Sequence, residues 1–153
     1  MRLKASNKAQ VAGHKVQVAG SGQETRVAGR GYEDTEIYKL AKKLAVEIHK
    51  MTCTELPKYE MYAEGDQIRR SSKSVVANFV EGYGRRRYPA DQTRFLTYAL
   101  ATCDETKAHL EMLHETACLK PDRFKCFYAE YRKLGAMLYN YREAAIKGAV
   151  KES

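Results

Sequence analysis

The sequence predicts an all-α protein: an antiparallel up-down-up-down four-helix bundle behind a flexible basic N-terminal arm. Three observations predict it. Apolar residues recur at spacings of three and four in four separate segments. The breaks between those segments are short, and they hold the three prolines of the chain. A chain of 153 residues that is 44% apolar can build one core.

Residues 1–31 read as the arm, 32–148 as the bundle and 149–153 as a C-terminal tail. The arm is rich in Gly, Ala and Val, and Val-Ala-Gly recurs at 11–13, 18–20 and 27–29. The unequal spacing makes no solenoid. Alternation from Lys15 to Val18 before Gly20-Ser21-Gly22 leaves a small hairpin open. The arm carries Arg2, Lys4, Lys8, Lys15, Arg26 and Arg30 against the single acid Glu24. It therefore supplies most of the formal net charge of +8, and the bundle is only mildly basic. A basic arm suits a polyanion and equally suits a solvated leader.

The first helix is expected from Asp34 or Thr35, with Asp34 as N-cap and Glu36 in the first turn. Ile37, Leu40, Ala41, Leu44, Ala45, Ile48 and Met51 share one face, and Lys39, Lys42, Lys43, Glu47 and Lys50 the other. It should end near Met51 to Cys53, ahead of Leu56-Pro57. The second helix should start between Met61 and Glu64, weakened by Gly65, and run to about Glu81. Ile68, Ser72, Val75, Val76, Phe79 and Val80 form its buried stripe. Ser71, Ser72, Ser74 and Ala77 are small enough to admit a neighbouring helix. Gly82 or Gly84 is expected to close it in the left-handed conformation.

After a loop at Arg85–Pro89, Pro89-Ala90-Asp91 opens the third helix, expected to reach about Cys118. Its apolar face is Phe95, Leu96, Ala99, Leu100, Cys103, Leu110, Leu113 and Ala117. Pro121 opens the fourth, with Phe124, Phe127, Tyr128, Tyr131, Leu134, Leu138, Tyr141 and Ala145 inward and an end near Lys147-Gly148. Tyr131, Tyr139 and Tyr141 cannot all face one narrow core, so a subunit interface or partial burial is expected for some.

No apolar run approaches a membrane span and no secretion signal opens the chain, which points to the cytoplasm. Cys53 is expected in a loop and Cys103, Cys118 and Cys126 on helices, as reduced thiols mostly packed as small hydrophobes. His109 and His114 diverge, and His114 with Cys118 makes two ligands at most, so no metal or other cofactor is expected. No G-x-S-x-G, H-E-x-x-H or phosphate-loop motif occurs.

The stretch Gln67–Arg87, QIRRSSKSVVANFVEGYGRRR, carries the candidate chemistry. Arg69 and Arg70 stand at its start, Arg85, Arg86 and Arg87 just past its end, and Arg94 follows. The two ends lie roughly 20–25 Å apart along a helix and could span several phosphates. The same arginines could instead complement the helix dipole or pair with Glu81 or Glu105. Asn78 and Glu81 share a face. A buried glutamate can act as acid or base, but a structural hydrogen bond is the plainer use, and no partner His or carboxylate is placed beside it.

This stretch resembles the signature of the bacterial four helix bundle protein family, the rRNA intervening-sequence proteins. Gln67, Ile68, Arg69, Arg70, Ala77, Asn78, Glu81, Gly82, Gly84 and Arg85 match its second-helix pattern. Arg94-Phe95-Leu96 and Glu105 match its third helix. Val76 replaces a frequent proline, which puts a helix kink in doubt, and Lys107 replaces a frequent acid. The resemblance covers about Tyr32 to Gly148. It implies Asn78, Glu81, Gly82, Gly84 and Glu105 as structural positions. It implies a homo-oligomer, commonly a ring-like pentamer, with no catalytic site. Related members are accessory proteins of diversity-generating retroelements, associated with a reverse transcriptase and nucleic acid. The expected function is a non-catalytic accessory protein binding structured RNA or an RNA/DNA hybrid. The alternatives are a scaffold docking a larger enzyme such as a reverse transcriptase, or a hydrolase using Glu81 and Glu105.

Overall fold

The computed structural model describes residues 31–151, so the arm, its hairpin and the last two residues of the tail lie outside the described residues. A 3-10 turn at Tyr32–Asp34 leads into α1 (Glu36–Thr54). A single turn, α2 (Lys58–Met61), follows Pro57, and then come α3 (Glu64–Gly84), α4 (Pro89–Glu115) and α5 (Pro121–Lys151). The described residues contain no strand.

The four long helices run antiparallel, each packed on its neighbours in the order α1, α3, α4, α5, with α5 closing back on α1. Paired residues show the directions. Thr52 at the end of α1 meets Arg69 near the start of α3, whereas Tyr32 meets Tyr83 at the far end. Along α3 and α4, Glu64 faces His109, Ser71 faces Thr106 and Gly82 faces Leu96. Tyr128 reaches Glu111 and Phe124 stacks on His114, which sets α5 against α4. Arg123 at the start of α5 forms a two-bond pair with Glu55, just past α1.

The periodic apolar positions make one core. It joins Ile37, Leu44, Ile48 and Met51 to Ile68, Val75 and Phe79, and to Leu96, Cys103, Leu110, Leu113, Phe127, Tyr131, Leu134 and Leu138. Ser71 and Thr106 are buried in the α3–α4 seam and bond each other at 2.8 Å, so neither hydroxyl is orphaned. Ser72 is buried too, but Ala77 faces solvent, so small size at 77 admits no helix. Tyr131 is buried, Tyr141 is half-buried against Phe79, and Tyr139 is exposed.

Several local expectations are corrected. Thr35, not Asp34, caps α1: its Oγ1 accepts from the Tyr38 N–H, while Asp34 belongs to the preceding turn. Cys53 lies inside α1 and is exposed, Cys126 is exposed on α5, and Cys118 sits in the turn after α4, so of the four Cys103 is buried in the core and Cys118 packs partly buried against it. Burial pushes the Cys103 thiol up to about 12. Gly65 is required by contact: an added Cβ would lie 2.9 Å from the Glu60 carbonyl oxygen, where α2 folds back on α3. Val76 sits within an unbroken α3. α5 continues past Gly148 to Lys151.

The helix stops also differ. α3 runs through both Gly82 and Gly84, neither with positive φ, and Arg85 is its C-cap. Gly82 is buried, and an added Cβ would meet Leu96 at 3.2 Å and the Gln92 carbonyl oxygen at 3.4 Å. It allows α4 to approach, and it is no cap. The left-handed stop occurs at Ala117 (φ 58°). There the N–H of Cys118 bonds the Leu113 carbonyl and that of Ala117 the His114 carbonyl, a Schellman pattern that ends α4 at Glu115. Leu119 then turns inward and is buried.

Candidate nucleic-acid interface

Four of the six candidate arginines meet at the corner between α3 and α4. Gly82 brings the two helices together, and the link Arg85–Tyr88 is too short to carry its side chains away. Arg85 donates from Nε (2.9 Å) and Nη2 (2.7 Å) to Glu81 Oε1 and from Nη1 to Asp91 (3.4 Å). The Glu81 hydrogen bond and charge raise the Arg85 pKa further, so this cation is permanent. Arg94 pairs with the other Asp91 oxygen at 3.0 Å. Arg86 donates to the Tyr83 carbonyl (3.0 Å) and lies 3.8 Å from the centroid of the Tyr83 ring. Arg87 is exposed and makes no ion pair or hydrogen bond among the described residues.

Aromatic rings are interleaved with these cations. Arg85 and Arg94 lie 5.7 and 5.4 Å from the Phe95 centroid. Tyr98 meets Phe95 edge-on at 5.9 Å, and Tyr88 in the link is 64% exposed. Neither exposed tyrosine stood out in the sequence. Tyr98 lies three residues after Phe95, and that spacing is the signal that places it beside the cluster.

Arg69 and Arg70 are at the other end of α3, roughly 22 Å away along the helix. Arg69 belongs to the fold. Its side chain is 14% exposed, and it donates to Thr52 Oγ1 (3.0 Å), the Met61 carbonyl (3.0 Å) and Asp66 (3.5 Å). Its acid is therefore on its own helix, and neither Glu81 nor Glu105 is involved. Arg70 is exposed and pairs with Asp66 at 2.9 Å.

The remaining motif residues are dispersed. Glu81 is occupied by Arg85. Asn78 is half-buried and makes no side-chain hydrogen bond among the described residues. Glu105 lies 3.6 Å from His109 Nε2, while His109 Nδ1 meets Glu64 at 2.5 Å, a link between α3 and α4. Glu81 and Glu105 are 24 positions apart in sequence on two antiparallel helices, with Glu81 at the Gly82–Leu96 level and Glu105 near the Glu64–His109 level. They form no acid–base pair. Gly84 has open space around its Cα, with nothing within 4 Å of an added Cβ. Among the described residues no three His, Cys, Asp or Glu side chains converge to hold a metal, and no helix is long and apolar enough to cross a membrane.

One surface groove joins residues that the sequence assigns to different faces, Lys42 and Lys50 outward and Ala45 and Val76 inward. Between α1 and α3 runs an open groove of about 500 Å³, floored by Tyr38, Ala45, Val46 and Val76 and rimmed by Lys42, Lys50 and Lys73.

The family model for the 23S rRNA-intervening sequence protein matches residues 33–140. The chain belongs to that family. Among solved structures it is similar to a protein of unknown function from the S23 ribosomal protein family of Bacteroides thetaiotaomicron VPI-5482. The two are 21% identical, the match covers 70% of this chain and 95% of that one, and the TM-score is 0.65. At that identity the likeness shows the fold. No curated protein matches the chain. In this 23S rRNA-intervening sequence protein the arginine–aromatic corner, residues 83–98, falls wholly within the span that defines the family.

Proposed function

We propose that the chain is a non-catalytic, cytoplasmic accessory protein that binds nucleic acid, structured RNA or an RNA/DNA hybrid, through the α3–α4 corner. The observation that carries this reading is the pair Arg86 and Arg87. Both are exposed, neither has a carboxylate partner among the described residues, and both project from a link whose ends are fixed by packed helices. Arg85 and Arg94 stand beside them, but their two charges are offset by Glu81 and Asp91. Contact with phosphates releases counterions and reads little sequence.

The protein acts as a homo-oligomeric ring, such as a pentamer, in which each weak corner is repeated. Charge supports this assembly. The outer side of α1 displays Lys42 and Lys50 around Val46, and the outer side of α4 displays Asp104, Glu105 and Glu115 around Met112. α1 and α4 are diagonal in the bundle, since each packs on α3 and α5. Unlike faces on opposite sides favour head-to-tail contacts, which form a ring where the rotation between subunits closes. The lysine-rimmed groove also supports a second reading, docking of a larger enzyme such as a retroelement reverse transcriptase. A pull-down whose protein partners all vanish on nuclease treatment counts against docking.

RNA affinity measured from low to moderate salt tests the first reading, for the wild type and for Arg86→Ala/Arg87→Ala. Affinity should fall steeply with salt, and the double variant should bind more weakly with a log–log slope shallower by about 1 to 2. Affinity indifferent to both salt and substitution overturns it. Native mass measurement with and without RNA reports the ring.

A further inference from the structure

We infer that the α3–α4 corner grips unpaired bases of a single strand, stacking them on the exposed rings of Tyr88 and Tyr98 and on the Arg86 guanidinium. This rests on the nucleic-acid reading above and narrows it to the unpaired segments of a structured RNA, since an RNA/DNA hybrid is itself a duplex.

Three observations lead there. First, the cations of the corner are organised on rings. Arg86 sits 3.8 Å from the Tyr83 centroid, and Arg85 and Arg94 flank Phe95. Guanidinium planes and aromatic faces are the surfaces on which splayed-out bases stack. Second, Tyr88 and Tyr98 leave large apolar faces in water, 64% and 48% exposed, although Tyr88 caps the start of α4 and Tyr98 stands within α4 against Phe95. An exposed ring on a rigid support loses little entropy when it takes a partner. Third, the charge is too small for a site that works by phosphate contact alone. Glu81 and Asp91 offset two of the four guanidinium groups. A duplex keeps its bases inside the stack and offers such a corner only its phosphates. A single strand offers phosphates to Arg86 and Arg87 and bases to the rings at once.

Other sites were less able to carry an inference. The Glu64–His109–Glu105 cluster has no nucleophile, Glu105 stands 3.6 Å from His109 Nε2, and among the described residues the three do not converge to hold a metal. Tyr59 and Tyr62 are also exposed, but they lie in and just after α2, at the opposite end of the bundle from the triplet. That makes Tyr62, 78% exposed, the natural control.

The test uses the full chain and fluorescence anisotropy with two labelled RNA probes, an oligouridylate of about 12 nucleotides and a duplex of the same length. The single strand should bind at least about tenfold more tightly than the duplex. Tyr88→Ala and Tyr98→Ala should each weaken single-strand binding about tenfold. They should leave duplex binding and the salt slope unchanged, because no phosphate contact is lost. Tyr88→Phe and Tyr98→Phe should retain affinity, and Tyr62→Ala should match the wild type. Thermal unfolding confirms that each variant is folded. If both probes bind equally, with the usual salt dependence, and neither alanine variant matters, the stacking inference is overturned and the nucleic-acid reading stands. If neither probe binds at any salt, both are overturned.

Discussion

Arg69→Ala separates a fold role from a binding role most sharply, because sequence reading leaves this residue open between them. The guanidinium is nearly enclosed and makes two hydrogen bonds of 3.0 Å, to Thr52 Oγ1 at the end of α1 and to the Met61 carbonyl at the end of α2. It thereby ties α1, α2 and α3 at one point. Hydrogen bonds from a charged donor are worth about 1.5–3 kcal/mol each, and truncation leaves two acceptors that water can partly reach. Allowing for that solvation, the loss is about 2–4 kcal/mol, or a Tm lower by roughly 10 °C for a domain of this size. Arg69→Lys keeps the charge but not the fork, and should lose about half as much. Urea unfolding followed by circular dichroism, at fixed protein concentration, gives the stability difference; the slope against urea should not change. RNA affinity, measured well below the melting range, should equal that of the wild type. A loss under about 1 kcal/mol, or a marked loss of RNA binding by the folded variant, refutes the assignment of Arg69 to the fold.

Three further outcomes follow from the same packing. Gly82→Ala should destabilise by about 1–2 kcal/mol, because Leu96 and the Gln92 carbonyl must give way, whereas Gly84→Ala should be neutral or stabilising by up to about 1 kcal/mol in the open space at 84; paired urea titrations read both. Ala117→Gly should stabilise by about 1 kcal/mol, since the left-handed conformation is held by a residue with a Cβ, and a Tm increase checks it. Thiol labelling of the native protein at pH 8 should modify Cys53 and Cys126 quickly and Cys103 only on unfolding, because burial keeps the Cys103 thiol protonated. Its raised pKa also means that the stability it confers is intact below about pH 9 and is lost as the pH rises toward 12.

The bundle was legible because a helix that buries one stripe must repeat it every three or four residues, and Ile37 through Met51 or Phe127 through Leu138 can do nothing else in water. The ends were harder to read. Thr35 and Asp34 are both good caps, and the choice falls to Thr35 because the Tyr32 carbonyl holds its hydroxyl in place. Gly82 and Gly84 look like a helix stop, yet the chain uses one for contact and neither for a turn, while Ala117 takes the strained position. Glycine signals two different needs, positive φ and missing bulk, and only the neighbouring helix distinguishes them.

The arginine triplet shows why the site was less legible than the fold. Arg85, Arg86 and Arg87 are chemically identical neighbours, and the sequence separates them only by the Glu81 that stands four residues before Arg85. The corner ranks them by what each can reach. Arg85 points back along α3 to Glu81 and across to Asp91, so it clamps the two helices together. Arg86 reaches the carbonyl and ring of Tyr83, which fixes its position without neutralising it. Arg87 meets neither acid nor ring among the described residues and keeps its charge for solvent or a ligand. The clamp also serves the other two, because the link can present Arg86 and Arg87 in one geometry only while α3 and α4 stay apposed at Gly82. Loss of Arg85 should therefore weaken binding indirectly, by loosening the link, and should cost stability that loss of Arg87 does not.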